Sequence, residues 1–325
     1  MTRRQVRRIA INALGVLTIF AFAFPVYWMA STAFKQPGDI QTYVPKFLPF
    51  PPTIDNFTTA VNRPFFPDYL RNSLVISIST VLLALVVGLM AAMAVARARF
   101  RGRKSFLLLV VVAQMAPFEA LLIPMYLVLR QANLLNQIPA LILTYFIFTL
   151  PFTIWALRGF IAGIPAELEE AALVDGANRF QAFWHVVLPL LAPGLVATSI
   201  FAFITAWNEF LYAYVLMRDT ANFTLPVWLA TFRTAFGTDW GGTMAASTLF
   251  TLPVLVFFLL IQNRMVGGGT AGAVKGRAQQ RRPGIPSRRG ATSRMQRLGP
   301  SCSRSTGSSC PPQRASDWQR SRRTA

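Results

Sequence analysis

Residues 72–96 read NSLVISISTVLLALVVGLMAAMAVA, twenty-five positions without Asp, Glu, Lys or Arg. A bilayer's hydrocarbon core is about 30 Å thick, so at a rise of about 1.5 Å per residue a spanning helix needs about 20 mostly apolar residues. In hydrocarbon every backbone N–H and C=O must be paired within the protein. That leaves helices or closed-barrel strands, and a run of this length is too long for a strand. Five further runs share the pattern. Residues 9–34, 139–157 and 243–263 also lack charge, while 105–129 contains only Glu119 and 186–217 only Glu209. The expected fold class is all-α integral membrane, with six transmembrane helices.

Composition agrees. Of 325 residues 54% are hydrophobic and 14% charged, and the mean hydropathy is +0.44, which excludes a water-exposed globule. Two Cys and one His cannot furnish a disulfide framework or a zinc site of Cys and His alone, and both cysteines, Cys302 and Cys310, lie near the C-terminus. The first run follows Arg3, Arg4, Arg7 and Arg8, as a secretory signal would, but it outlasts the roughly 7–15 apolar residues of such a signal and is read as a retained span. Basic residues gather in the N-terminal flank, in RARFRGRK (97–104) and at Arg158, Arg179 and Arg264. The positive-inside rule therefore predicts that both termini are cytoplasmic. On the other side, 35–71 is rich in Pro and should be extended or turn-like, and 218–242 mixes turn residues with Trp228 and Trp240.

The loop 158–189 is longer than a connection between helices needs. Within it, GIPAELEEAALVDGANRFQAFWHVVLP places Pro165 at a helix start, with Glu167, Glu169 and Glu170 in the first turns, where the helix dipole favours anions. This helix should end near Gly176. Asn178 then caps a second short helix carrying Phe180, Phe183 and Trp184 on one face. Such a patch packs on the protein's own bundle, lies on the membrane or is buried by a partner. Three Glu and one Asp against one Arg disfavour anionic lipid, so a protein partner leads.

Glu170, Ala171, Ala172 and Gly176, followed after nine residues by Val186, Leu188 and Pro189, resemble the E-A-A-x3-G-x9-I-x-L-P signature of permease subunits of binding-protein-dependent ABC importers, with Val in place of Ile at 186. IPMY (123–126), ALILTY (140–145), LPFTIWALRGF (150–160), WNEFL (207–211) and NRMVGGGTAGAVKG (263–276) resemble the carbohydrate branch, so the likeness covers about residues 10–276. It implies the type I importer permease fold in residues 1–276, in the inner (plasma) membrane of a prokaryote. It also implies a second homologous permease, two ATP-binding subunits that use ATP and Mg, an extracytoplasmic solute-binding protein, and no cofactor on this chain. The loop would seat a coupling helix in the ATP-binding subunit through Glu170, Ala171, Ala172, Asp175, Gly176, Phe180, Leu188 and Pro189. An ion-coupled secondary transporter or channel is the alternative reading.

Acids inside spans are costly and mark functional or cavity-facing positions. Glu209, about 12 Å from the end of a helix running to Met217, stands with Trp207, Asn208 and Tyr212 as a candidate lining of a sugar path, or as an interhelix hydrogen bond. Glu119, between Pro117 and Pro124, belongs either to that path or to a kinked structural contact. The run Gly267–Gly272 fails as a phosphate loop because position 273 is Ala273 and Lys275 comes two residues late, so fuel must be burned by another chain. Residues 277–325, with twelve Arg and one Asp, are expected to form a basic disordered tail that contacts membrane lipids at most nonspecifically and has no specific nucleic-acid partner.

Overall fold

A computed structural model describes residues 3–234 and 237–278 of the chain. In order these form α1 (Arg3–Ala33), α2 (Pro37–Ile40), α3 (Asp55–Val61), α4 (Phe66–Arg97), α5 (Arg103–Met115), α6 (Leu122–Gln131), α7 (Ile138–Ala162), α8 (Glu167–Val174), α9 (Arg179–Ala182), α10 (Leu188–Trp207), α11 (Leu211–Leu216), α12 (Leu225–Ala230), a two-residue hairpin of β1 (Arg233–Thr234) with β2 (Gly237–Thr238), and α13 (Trp240–Ala278). Five helical stretches are long and apolar enough to cross a membrane: Arg3–Ala33, Phe66–Arg97, Ile138–Ala162, Arg179–Trp207 and Trp240–Gln262. A bent pair, Arg103–Met115 with Glu119–Gln131, makes up to six. The compact unit ends at Gly276. The expected basic tail falls almost wholly outside the described residues.

Two of the expected spans are broken, each for a local reason. Between α5 and α6 the axis turns by 90°. Pro117 forces the preceding Ala116 into an extended conformation (φ −64, ψ 127), which ends α5, whereas Pro124 sits in the first turn of α6, where a missing N–H leaves no bond unmade. The run 186–217 begins earlier than expected, at Arg179, and stops at Trp207. Glu209 then accepts hydrogen bonds from the amides of Tyr212 (2.9 Å) and Ala213 (3.2 Å), so its carboxylate starts α11 instead of lying within a continuous helix. The Pro-rich segment is largely irregular, as its composition predicts, but α4 already begins at Phe66.

The bundle is built on α4 against α7, with α10 closing over both. Ser73, Ser77, Thr80, Ala84, Gly88 and Ala92 recur every three or four residues and form one buried stripe on α4. Where a membrane removes the hydrophobic drive between helices, small residues allow backbones to approach and gain van der Waals contact. A Cβ on Gly88 would lie 2.5 Å from Thr153 Cγ2 on α7. The hydroxyls of Thr144, Thr149, Thr153 and Thr198 donate to carbonyls four residues back in their own helices, which removes the cost of burying them.

Side-chain amides sew the connections near the start of α4 to its first turns. Asn72 donates to the carbonyls of Ala221 (2.8 Å) and Phe223 (3.1 Å), and Ser73 Oγ accepts from Leu225 N (2.8 Å). Asn56 donates to Ala33 and Lys35 carbonyls, closing the end of α1. Asn136, at φ +63, receives the amides of Arg218 and Asp219 on its Oδ1, both at 3.0 Å. In contrast, α1 is exposed along almost its whole length, with Ser31, Thr32 and Ala33 its only fully buried residues among those described.

Candidate functional site

Local sequence chemistry builds the loop between α7 and α10. Pro165 precedes α8 by two residues, since Ala166 is the N-cap. The first helical position, expected at Pro165, is therefore taken two residues later by Glu167. At the other end Gly176 adopts φ +92, its N–H donates to Leu173 O (3.2 Å), and the Ala177 N–H donates to Ala172 O (3.0 Å). These are the paired bonds of a Schellman terminus, in which a residue without Cβ takes the left-handed turn. Asn178 then forms a reciprocal capping box with Gln181, both bonds being 2.8 Å.

The second helix is not a separate short element. It runs through a π-helical turn, Phe183–Val187, directly into α10. Pro189 supplies a reason: it has no N–H to return to His185, and its ring would crowd that carbonyl in a regular turn. The aromatic ridge is correspondingly smaller than its spacing predicts. Phe180 (71% exposed) and Trp184 (55%) stack with ring centroids 6.1 Å apart, but Phe183 packs inward against the buried group of Leu157, Ile161, Val187 and Leu191.

None of the residues of α8 is buried. Glu170, Ala171, Asp175 and Gly176 are exposed, as are Phe180 and Pro189, while Ala172 and Leu188 are half-buried. Glu169, next to Glu170 but turned about 100° around the helix, points back to the bundle. Its Oε1 accepts from Arg97 Nε at 2.6 Å, and Arg97 Nη2 donates to Ile164 O at 2.9 Å. Six of the eight candidate coupling residues are thus exposed, on a locally determined scaffold. Arg97 and Glu169 were not singled out from sequence. They are 72 positions apart, and Arg97 read only as one of five basic residues in its loop.

The candidate path residues separate. Trp207 is 1% exposed, donates through Nε1 to Phe250 O (3.2 Å) and stacks with Phe203. Tyr212 is fully buried, and its hydroxyl donates to Phe118 O at 2.8 Å. Glu209 is half-buried and also accepts from the Tyr145 hydroxyl (2.5 Å) on α7, which is the interhelix bond that sequence offered as one of two readings. Asn208 is exposed but donates to Ile204 O (2.9 Å) in its own helix. Glu119 is exposed at the α5–α6 bend, and its carboxylate makes no hydrogen bond or ion pair among the described residues.

Residues 84–267, more than half of the chain, match the family described as binding-protein-dependent transport system inner membrane component. The chain is 47% identical over 276 residues to the diacetylchitobiose uptake system permease protein DasC of Streptomyces coelicolor, covering 85% of this chain and 100% of that protein. It is 38% identical to the trehalose transport system permease protein SugB of Mycobacterium tuberculosis, with 81% and 96% covered. Its fold matches a chain in the crystal structure of a bacterial ABC transporter involved in the import of the acidic polysaccharide alginate, with a TM-score of 0.67 at 21% identity over 81% of this chain and 98% of that one. The broken spans, the exposed α8 and these matches agree: the chain belongs to the binding-protein-dependent transport system inner membrane component family.

Proposed function

We propose that the chain is one permease subunit of an ABC importer for a sugar or related polyol, moved through the plasma membrane by force that arrives at α8. The carrying observation is that α8, a helix with a firmly built C-terminal end, buries none of its own residues and presents Glu170 and Ala171 outward, while the helical turns after it expose the Phe180–Trp184 pair. Apolar rings held at the end of a bundle on a fixed scaffold fit a partner surface, here the cleft of an ATP-binding subunit. Closure of two such subunits, driven by ATP and Mg bound there, would shift α8 as a lever and switch the bundle between states open to opposite sides.

In this reading the bent α5–α6 pair counts as one of six spans, both termini are cytoplasmic, and 218–242 faces the solute-binding protein. Carbohydrate cargo is supported by relatives named for diacetylchitobiose and trehalose. The exposed length of α1 supports a second permease beside this one, because an apolar helix that meets its own chain only near its C-terminal end is covered along the rest by lipid or by a neighbour. Exposed Glu119 and half-buried Glu209 remain the path candidates, with Glu119 the better placed to meet solute.

The test is purification through a tag on this chain from membranes of its own host. Two ATP-binding subunits, a second permease and a solute-binding protein should co-elute, and proteoliposomes of that complex should import the ligand of the binding protein only with ATP inside the compartment that α8 faces. Import by this chain alone, driven by an ion gradient, would refute the proposal.

A further inference from the structure

We infer that Arg97 is the positioning residue of α8, holding the coupling surface at a set angle to the bundle through Glu169. The inference rests on the coupling role proposed above. Because α8 buries none of its residues, side-chain packing holds it weakly and its attachments set its orientation. On the C-terminal side these are the Gly176 turn and the Asn178 capping box, which lead into α10. On the N-terminal side Ile164 is buried, and the guanidinium of Arg97 grips two points: the Ile164 carbonyl and the Glu169 carboxylate, one turn into the helix. Two points define a direction where one would allow rotation. Both side chains of the ion pair are 22% exposed, so it is partly shielded from solvent while the neighbouring Glu170 stays free for a partner.

Arg97 is also the last residue of α4, which runs unbroken for 32 residues, about 48 Å. The first turns of the same helix hold the connection between α11 and α12 through Asn72 and Ser73. A displacement of α8 therefore reaches the far end of the bundle along one rigid element rather than through flexible loops. Lysine would not replace Arg97 fully, since a point charge cannot address the carbonyl and the carboxylate with the same planar fork.

The experiment uses the whole importer, purified through this chain and reconstituted, and measures solute moved per ATP hydrolysed. Arg97→Gln and Glu169→Gln should still co-purify with the ATP-binding subunits and still hydrolyse ATP, but the ratio should fall about fivefold or more, the lower range of usual coupling between sites. Arg97→Lys should lie between, and the reversed pair Arg97→Glu with Glu169→Arg should recover only part of what either reversal loses, since it restores the ion pair but leaves the Ile164 carbonyl without its donor. A packing role alone would predict no such recovery and no change in the ratio. If Arg97→Gln fails to assemble, Glu169→Gln carries the test, because it leaves the bond to Ile164 in place. Assembled variants with the wild-type ratio overturn the inference, as does loss of assembly in both, which would make the pair a folding contact. Absence of ATP-binding subunits from the wild-type complex is a different failure, since it removes the coupling role itself before any variant is compared.

Discussion

Replacing Gly176 by residues bearing a β-carbon isolates a single torsional preference, because the structure offers a new Cβ at this position no atom within 4 Å. The cost is then conformational. At φ +92 an ordinary L-residue is strained by about 1–2 kcal/mol. With a factor of ten per 1.4 kcal/mol, such a penalty raises the population of a frayed α8 terminus by about 5- to 30-fold. Fraying releases the Leu173 and Ala172 carbonyls from Gly176 and Ala177 and detaches the exposed surface of α8 from the Asn178 cap. ATP-driven import by the reconstituted complex should therefore fall in the order Gly, Asn, Ala, Val, since Asn tolerates positive φ and a β-branched residue does not. Gly176→Asp should insert normally yet lose coupling, as its charge is added to the side that already carries Glu170 and Asp175. Amide exchange at Ala177, measured on the same series, should rise in the same order. Import by Gly176→Val equal to wild type, with unaltered exchange, would refute the reasoning, because it would show that the terminus does not govern the work done through α8.

Gly194→Ala differs in kind. Its Cβ would lie 2.5 Å from the ring of Phe160, so the variant should destabilise by about 1–3 kcal/mol through overpacking, with partial rescue by Phe160→Leu in thermal unfolding of the purified complex. Asn136→Ala removes the acceptor of the Arg218 and Asp219 amides. It should lower stability by about 2–3 kcal/mol and make the segment around Asp219 more open to limited proteolysis, whereas unchanged cleavage would argue that water replaces the amide at no cost. Glu209→Ala strands the Tyr145 hydroxyl and two amides and should reduce thermal stability by about 1–3 kcal/mol, while Glu209→Gln retains a carbonyl acceptor and should lose less. If Glu209 instead served solute chiefly, both variants would raise KM for import at wild-type stability.

What could be read from sequence was whatever repeats over a short distance. The charge-free run 72–96 lies within one helix, α4, and Asn178 and Gly176 act as a cap and a terminus, because those roles depend on a residue and its neighbours three or four positions away. The breaks were harder to read. Pro117 ends α5 through its effect on Ala116, a local rule that predicts a bend but not its 90°. Glu209 was read as an acid inside a helix because hydropathy does not register a side chain that competes for backbone amides. Phe183 matched the exposed ridge by spacing, but positions i+3 and i+4 from Phe180 lie about 100° apart around a helix, and Phe183 falls on the bundle side while Trp184 stays exposed. Arg97 with Glu169, and Tyr145 with Glu209, join positions 72 and 64 apart, and no periodic pattern connects such pairs.

The division between local and distant determinants bears on how such a subunit works. In the proposed role α8 is a lever, which must keep its shape while its surroundings change, and it obtains that shape from neighbouring residues, through the Gly176 turn and the Asn178–Gln181 box. Its attachment to the bundle is of another kind, a partly shielded ion pair and a carbonyl contact, both polar and both contributed by one arginine. Polar contacts of this exposure contribute modestly and re-form readily, while the Gly88–Thr153 approach of α4 on α7 admits little give in a close-packed interior. Helix, polar joint and rigid strut thus meet at Arg97, where the end of α4 touches α8. Force on α8 passes to α4 through that joint, so variants there should alter solute moved per ATP, whereas variants at Gly88 should alter assembly first.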